Sequence, residues 1–207
     1  MTDAEFWALI VQAFGVVCTL IVIVLAIWGE GIRSCLAGPK LSLRLVDPQG
    51  TLNFLTNGTP ARYYILKVSN QRRWAQAKNV RVILTKILKP DSSGTFIEQV
   101  FSGPLQMTWR FPQNRPQYSI VGHDDFCTFG NLIHGQKFVL SPYIVPNNFV
   151  GFVGAKEKMR IEVIAIADNA ESNTICIEIS WDGNWNNNGL QMQNHLVVSE
   201  LNIKLGC

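Results

Sequence analysis

No Cys-x-x-Cys pair occurs in the chain, and its five cysteines, Cys18, Cys35, Cys127, Cys176 and Cys207, are odd in number and irregular in spacing. That pattern argues against a disulfide framework and a zinc ribbon, and it suits reduced thiols. Catalytic signatures are missing as well. There is no Gly-x-Ser-x-Gly, no Ser-x-x-Lys and no His-Glu-x-x-His, and the glycine-rich runs lack the lysine and helix of a phosphate loop. The chain therefore reads as a non-enzyme without a cofactor. Acidic residues are nearly absent from one stretch: residues 31–90 hold eleven Lys or Arg against Asp47 alone, a net +10 in a chain whose total is +3. A segment so basic suits an anionic surface or ligand.

Charge is absent altogether from residues 6–28, "FWALIVQAFGVVCTLIVIVLAIW", where only Gln12 and Thr19 are clearly polar. As a helix this run reaches about 34 Å, enough for a hydrocarbon core of about 30 Å. Trp7 and Trp28 stand where interfacial anchors belong. A cleaved signal peptide would have a basic start and a shorter apolar run, whereas this chain begins "MTDAE". Asp3 and Glu5 precede the span and Arg33, Lys40 and Arg44 follow it, so the positive-inside rule sets the N-terminus outside and the C-terminal domain in the cytoplasm. The protein is thus expected to be single-pass, in a bacterial inner membrane. Its organisation reads as a tail (1–5), a transmembrane helix (6–28), a juxtamembrane linker (29–39) whose Gly and Pro end the helix, and one domain (40–207).

Long helical periodicity is missing from that domain. "KLSLRLV" alternates Leu41, Leu43 and Leu45 with polar residues, "RYYILKVSN" places Tyr64, Leu66 and Val68 on one face, and "NVRVILTKIL" does so with Val80, Val82 and Leu84. Further strands are expected in "TFIEQVF", "LQMTWRF", "KFVLSPYIV", "MRIEVIAIAD" and "TICIEISW", with Ile175, Ile177, Ile179 and Trp181 as one stripe. "DPQG", "TNGTP" and "PDSSG" supply turns. Seven to nine short strands indicate an all-β fold, a sandwich or small barrel.

The segment "YYILKVSNQRRWAQAKNVRVILTKI" resembles the hairpin of immunoglobulin-like β-sandwich modules of the bacterial CARDB and adhesion-domain kind, in which a strand ending in Val-x-Asn is followed by a loop, Ala-x-Asn-Val and a second strand. The glycine usual after the first Asn is replaced here by "QRRW". The resemblance implies an immunoglobulin-like β-sandwich with a binding or scaffolding role, and names no ligand.

Three stretches are candidate sites. In "NQRRWAQAKN", Arg72, Arg73 and Lys78 surround Trp74, a combination suited to an anionic lipid headgroup or a stacked base. The bland alternative packs Trp74 beneath a solvated loop. In "GHDDFCTFGNLIHG", His123, Asp125 and Cys127 would share a face of an extended strand, with His134 as a fourth metal ligand; solvated loop residues around a buried Cys127 are the alternative. In "SWDGNWNNNG", Asp182, Asn184 and Asn186 have calcium-loop spacing, but Asn187 and Gln193 stand where Gly and Glu are needed. That loop reads as structural. The favoured function is a membrane-anchored, non-catalytic interaction or scaffold module, with the lipid bilayer, anionic headgroups and an unidentified protein as partners. The alternatives are a sensor or effector that binds an anionic ligand (nucleotide, nucleic acid or phospholipid) through the basic segment, and a metal-dependent enzyme at residues 123–134.

Overall fold

The computed structural model describes residues 3–72, 74–101, 103–110, 118–120 and 124–201. It forms two compact units, Met1–Gly38 and Pro39–Cys207. The first is one helix, α1 (Asp3–Ala37). Its stretch Phe6–Ala26 is long and apolar enough to cross a membrane, and Trp7 is exposed on it; the side chain of Trp28 lies outside the described residues. Thr19 donates its hydroxyl to the carbonyl of Gly15 at 2.8 Å, so this polar interruption is satisfied within the helix, as hydrocarbon requires. The expectation that Gly29 and Gly31 would end the helix is corrected. α1 runs through both to Ala37, because a helical glycine costs only about 1 kcal/mol. It stops at Gly38-Pro39, since the residue before a proline is biased out of the helical region.

The second unit consists of two antiparallel sheets packed as a sandwich, with the strands β1 (Leu41–Leu45), β2 (Thr51–Phe54), β3 (Pro60–Asn70), β4 (Ala77–Pro90), β5 (Phe96–Glu98), β6 (Leu105–Gln106), β7 (Thr108–Trp109), β8 (Tyr118–Ile120), β9 (Asp124–Ile133), β10 (Phe138–Leu140), β11 (Phe152–Val153), β12 (Glu157–Ala167), β13 (Ala170–Glu171), β14 (Ile175–Trp181) and β15 (Leu196–Leu201). One sheet is ordered β1-β3-β9-β10-β11, with β2 also on β3 and β7 on β9. The other is ordered β15-β14-β12-β4-β5, with β13 on β12 and both β6 and β8 on β4. A four-residue helix, α2 (Gly189–Met192), precedes β15.

The alternating stripes become the inner faces. Leu41, Leu43, Tyr64, Leu66 and Val68 from one sheet meet Val80, Val82, Leu84, Ile175, Ile177 and Ile179 from the other in a single buried cluster. β2, β8, β9, β11, β13 and β15 all fall outside the stretches expected to form strands, and two of them are long. "DDFCTFGNLI", read as loop or metal site, is the central strand β9, and "LVVSEL" is β15.

A bulge explains why β9 does not alternate. The register of β3 on β9 shifts between Tyr64 and Ile65, so that Tyr64 faces Gly130 and Ile65 faces Thr128, leaving Phe129 as the extra residue. Phe129 is buried, and Gly130 lies opposite Tyr64 and Leu140, both also buried. A Cβ at Gly130 would clash with Cζ of Phe138. Glycine is therefore needed here to seat that ring. A second bulge leaves Thr85 unpaired between Leu84–Val163 and Lys86–Glu162, and its hydroxyl donates to the carbonyl of Glu162 at 3.1 Å.

The edge strand β1 is closed by side chains from beyond its own sheet. The amide of Asn173 both accepts from the N–H of Leu43 (3.0 Å) and donates to its carbonyl (3.1 Å), while Glu200 accepts from the N–H of Leu45 at 3.2 Å. These contacts occupy groups that would otherwise template strand addition. Cys176 points away from the core stripe of β14 and is disulfide-bonded, which corrects the reduced-thiol expectation for that residue. Spacing along a chain carries no information on which thiols meet in space. Cys18 and Cys127 are free.

Candidate functional site

β9 carries two of the metal candidates, Asp125 and Cys127, and its extended backbone separates them from His134. Cys127 is fully buried in the core and its thiol donates to the carbonyl of Thr108 at 3.3 Å. Burial pushes the thiol well above its ordinary pKa, with the nearby charge of Asp125 acting the same way. Asp125 lies across from Val68. His134 follows the far end of the strand, seven residues from Cys127, which at strand rise is roughly 23 Å; its ring centroid sits 5.3 Å from that of Trp185. His123 lies outside the described residues. Among the described residues no three His, Cys, Asp or Glu side chains gather as metal ligands.

The Asn-rich segment spends its side chains on itself. Asp182 accepts from the N–H of Asn184 (2.7 Å) and contacts Nδ1 of His195 (2.8 Å). Asn186 accepts from the N–H of Asn188 (2.8 Å) and donates to Gln191 (2.8 Å), Asn188 caps α2 by accepting from the N–H of Gln191 (3.2 Å), and Asn187 accepts from the indole of Trp185 (2.7 Å). No converging set of oxygens remains for calcium among these residues.

Arg62 anchors this loop, and the sequence pattern does not reveal it. Only 2% exposed, it donates to the carbonyls of Gln49 (3.2 Å), Gly50 (3.1 Å), Asn186 (3.3 Å) and Asn187 (2.5 Å). The β1–β2 turn and the β14–α2 loop are thus held by one guanidinium. Desolvation depresses its pKa, opposed by the charges of Tyr64 and Asp47, but an arginine remains protonated.

The Trp74 loop differs from both. It joins β3 to β4 and is built around Asn70, a buried amide that accepts from the N–H groups of Lys40 (3.2 Å) and Arg72 (3.1 Å) and donates to the carbonyl of Ala75 (2.6 Å). Where the strand re-enters, Asn79 has φ 52°, and its amide donates to Asp168 at 2.6 Å. The two asparagines of Val-x-Asn and Ala-x-Asn-Val therefore carry out the local geometry: the first ties the loop, the second makes the left-handed step that asparagine tolerates. Trp74 is held out at 75% exposure, so it does not pack beneath the loop. Lys78 is exposed, Arg72 is half-buried, and Arg73 lies outside the described residues.

The basic segment is not one surface. Arg62 is buried, Lys67 pairs with Asp124, Lys86 pairs with Glu162 (3.1 Å), and Lys89 lies beside Lys156 and Lys158 from the acidic part of the chain. Elsewhere a recess of about 390 Å³ opens on the outer face of the first sheet, lined by Thr51, Asn53, Tyr63, Thr108, Thr128 and Ser141 among others, with Arg110 as its single charged residue. No protein-family model matches the chain, and no curated protein matches its sequence.

Proposed function

We propose that the protein is a membrane-anchored, non-catalytic interaction module whose β-sandwich lies in the cytoplasm and meets an anionic membrane surface through the Trp74 loop. The observation that carries this reading is the exposed Trp74 on a loop braced by the buried Asn70 and flanked by Arg72 and Lys78. An amphipathic indole suits the headgroup level, and each Lys or Arg near an anionic surface contributes about 1 kcal/mol. Lys40, an exposed basic residue, is tied to the same loop: its carbonyl accepts from the N–H of Gln71 at 2.8 Å.

The cytoplasmic orientation rests on Arg33, Lys40 and Arg44 after the span and Asp3 and Glu5 before it. The bond at Cys176 pulls toward an oxidising compartment. The charge bias is preferred because flanking charges set the orientation of insertion. A reporter active only outside the cytoplasm, fused at the C-terminus, is expected to give no signal; full activity reverses the topology.

In vesicles containing brominated phosphatidylserine, the full chain is expected to lose a component of its tryptophan fluorescence that Trp74→Ala lacks. Raising the salt to about 1 M should restore it, since the Debye length falls to about 3 Å. Identical quenching of the two proteins removes the membrane role of the loop and leaves a protein partner.

A further inference from the structure

Four lysines from three separate segments of the chain gather near the point where β4 ends and β12 begins. Lys89 comes from the end of β4, Lys156 and Lys158 flank the first residue of β12, and Lys137 comes from the β9–β10 turn. Lys89, Lys156 and Lys158 line a recess of about 330 Å³ with Pro90 and Glu157. Lys89 and Lys137 share one aromatic ring, their Nζ atoms 4.0 and 4.6 Å from the centroid of Phe152.

None of the four ammonium groups has a carboxylate within ion-pair distance among the described residues, whose pairs are Lys67–Asp124, Lys86–Glu162, Arg160–Glu178 and His195–Asp182. Glu157 is the single acid lining the recess, and one of its oxygens accepts from the N–H of Gly154 at 2.7 Å. Burial lowers the pKa of Lys89, Glu157 opposes this, and Lys137 adds to it. Lys156 has φ 64°, a left-handed conformation that disfavours a long side chain and that Asn or Gly would adopt more readily. Like charges gathered in a recess, with one of them on a strained backbone, call for a function that outweighs stability.

We propose that this recess binds a ligand carrying at least two phosphate groups. The three lysines lining the recess less Glu157 leave +2, and Lys137, which shares the Phe152 ring with Lys89, brings the cluster to +3; each phosphomonoester supplies about −1.5 to −2 at neutral pH, so two of them balance the cluster. The recess is distinct from the Trp74 loop, and the proposal does not depend on membrane contact there. Its source is either a soluble polyphosphate or the headgroup of a polyphosphorylated lipid.

The test uses the full chain in nanodiscs of neutral phosphatidylcholine at low salt. Sodium tripolyphosphate is titrated in solution, and capture by separate phosphatidylcholine vesicles doped with phosphatidylinositol bisphosphate is measured in parallel. Binding of tripolyphosphate identifies a soluble ligand, and capture by vesicles alone identifies a headgroup. Either is expected to weaken about tenfold or more in Lys156→Asn/Lys158→Gln. Lys40→Gln/Arg44→Gln removes the same charge elsewhere on the domain, outside both the recess and the Trp74 loop, and is expected to change binding less than about threefold. Lys156→Asn alone should raise the unfolding temperature while weakening binding, because it relieves both the left-handed strain and the like-charge repulsion, and Lys156→Gln, which relieves only the repulsion, should raise it less. Failure of both probes to bind, or equal losses from the two pairs, overturns the proposal.

Discussion

Phe138→Ala is expected to destabilise the sandwich by about 4 kcal/mol, the range of a fully buried phenylalanine. Its ring is 0% exposed and packs edge-on against Tyr64 (centroids 5.7 Å apart) and tilted against Phe129 (6.4 Å). It also fills the place where a side chain at Gly130 would stand. Gly130→Ala should therefore cost about 2 kcal/mol by overpacking. Combining it with Phe138→Leu is expected to cost at least about 1 kcal/mol less than the two single changes together, because the smaller side chain vacates the clash. Urea unfolding of the chain in detergent, followed by tryptophan fluorescence, reads all four corners of the cycle. Strict additivity would show that the ring does not rest on Gly130.

Arg62→Ala is expected to cost about 3 to 4 kcal/mol. Four carbonyls on two loops lose their donor together, and a buried acceptor left unsatisfied costs about 1–3 kcal/mol, reduced where water enters the vacated space. For a domain of this size the unfolding temperature should fall by roughly 10 °C. Arg62→Lys keeps the charge but not the planar fork that reaches both loops, and should fall between the two. Hydrogen exchange should rise at Gln49–Gly50 and Asn186–Asn187 before the sheets open. Tyr64→Phe is the contrast: the hydroxyl has no hydrogen-bond partner among the described residues, so its removal is expected to leave stability unchanged or raise it by about 1 kcal/mol. An Arg62→Ala protein as stable as the parent would mean that water replaces the guanidinium fully.

Much of the architecture was legible in residue patterns. The apolar run of α1, the inward stripes of β3, β4 and β14, and the turns at Gly50, Gly58 and Gly94, all with positive φ, follow from local chemistry. β9 was not, because its bulge places Phe129 and Gly130 together and breaks the period on which strand reading depends. The same strand made His123, Asp125, Cys127 and His134 look like neighbours. Compactness in sequence becomes about 3.3 Å per residue of separation once the chain is extended.

Two asparagines show where pattern becomes mechanism. Val-x-Asn and Ala-x-Asn-Val were visible as a hairpin signature, yet only the folded loop shows Asn70 bonded to Lys40, Arg72 and Ala75, holding Trp74 outward. The sequence alone determined one apolar helix and an all-β domain after it, since hydrophobic runs and period-two alternation are local properties of consecutive residues. The tertiary structure decided which charges stand alone. Lys67 and Lys86 found acids on neighbouring strands, Arg62 found backbone carbonyls, and Lys89 found Lys137, Lys156 and Lys158. Net charge adds along a chain, but electrostatic energy depends on distance, and only the pairing of strands sets those distances.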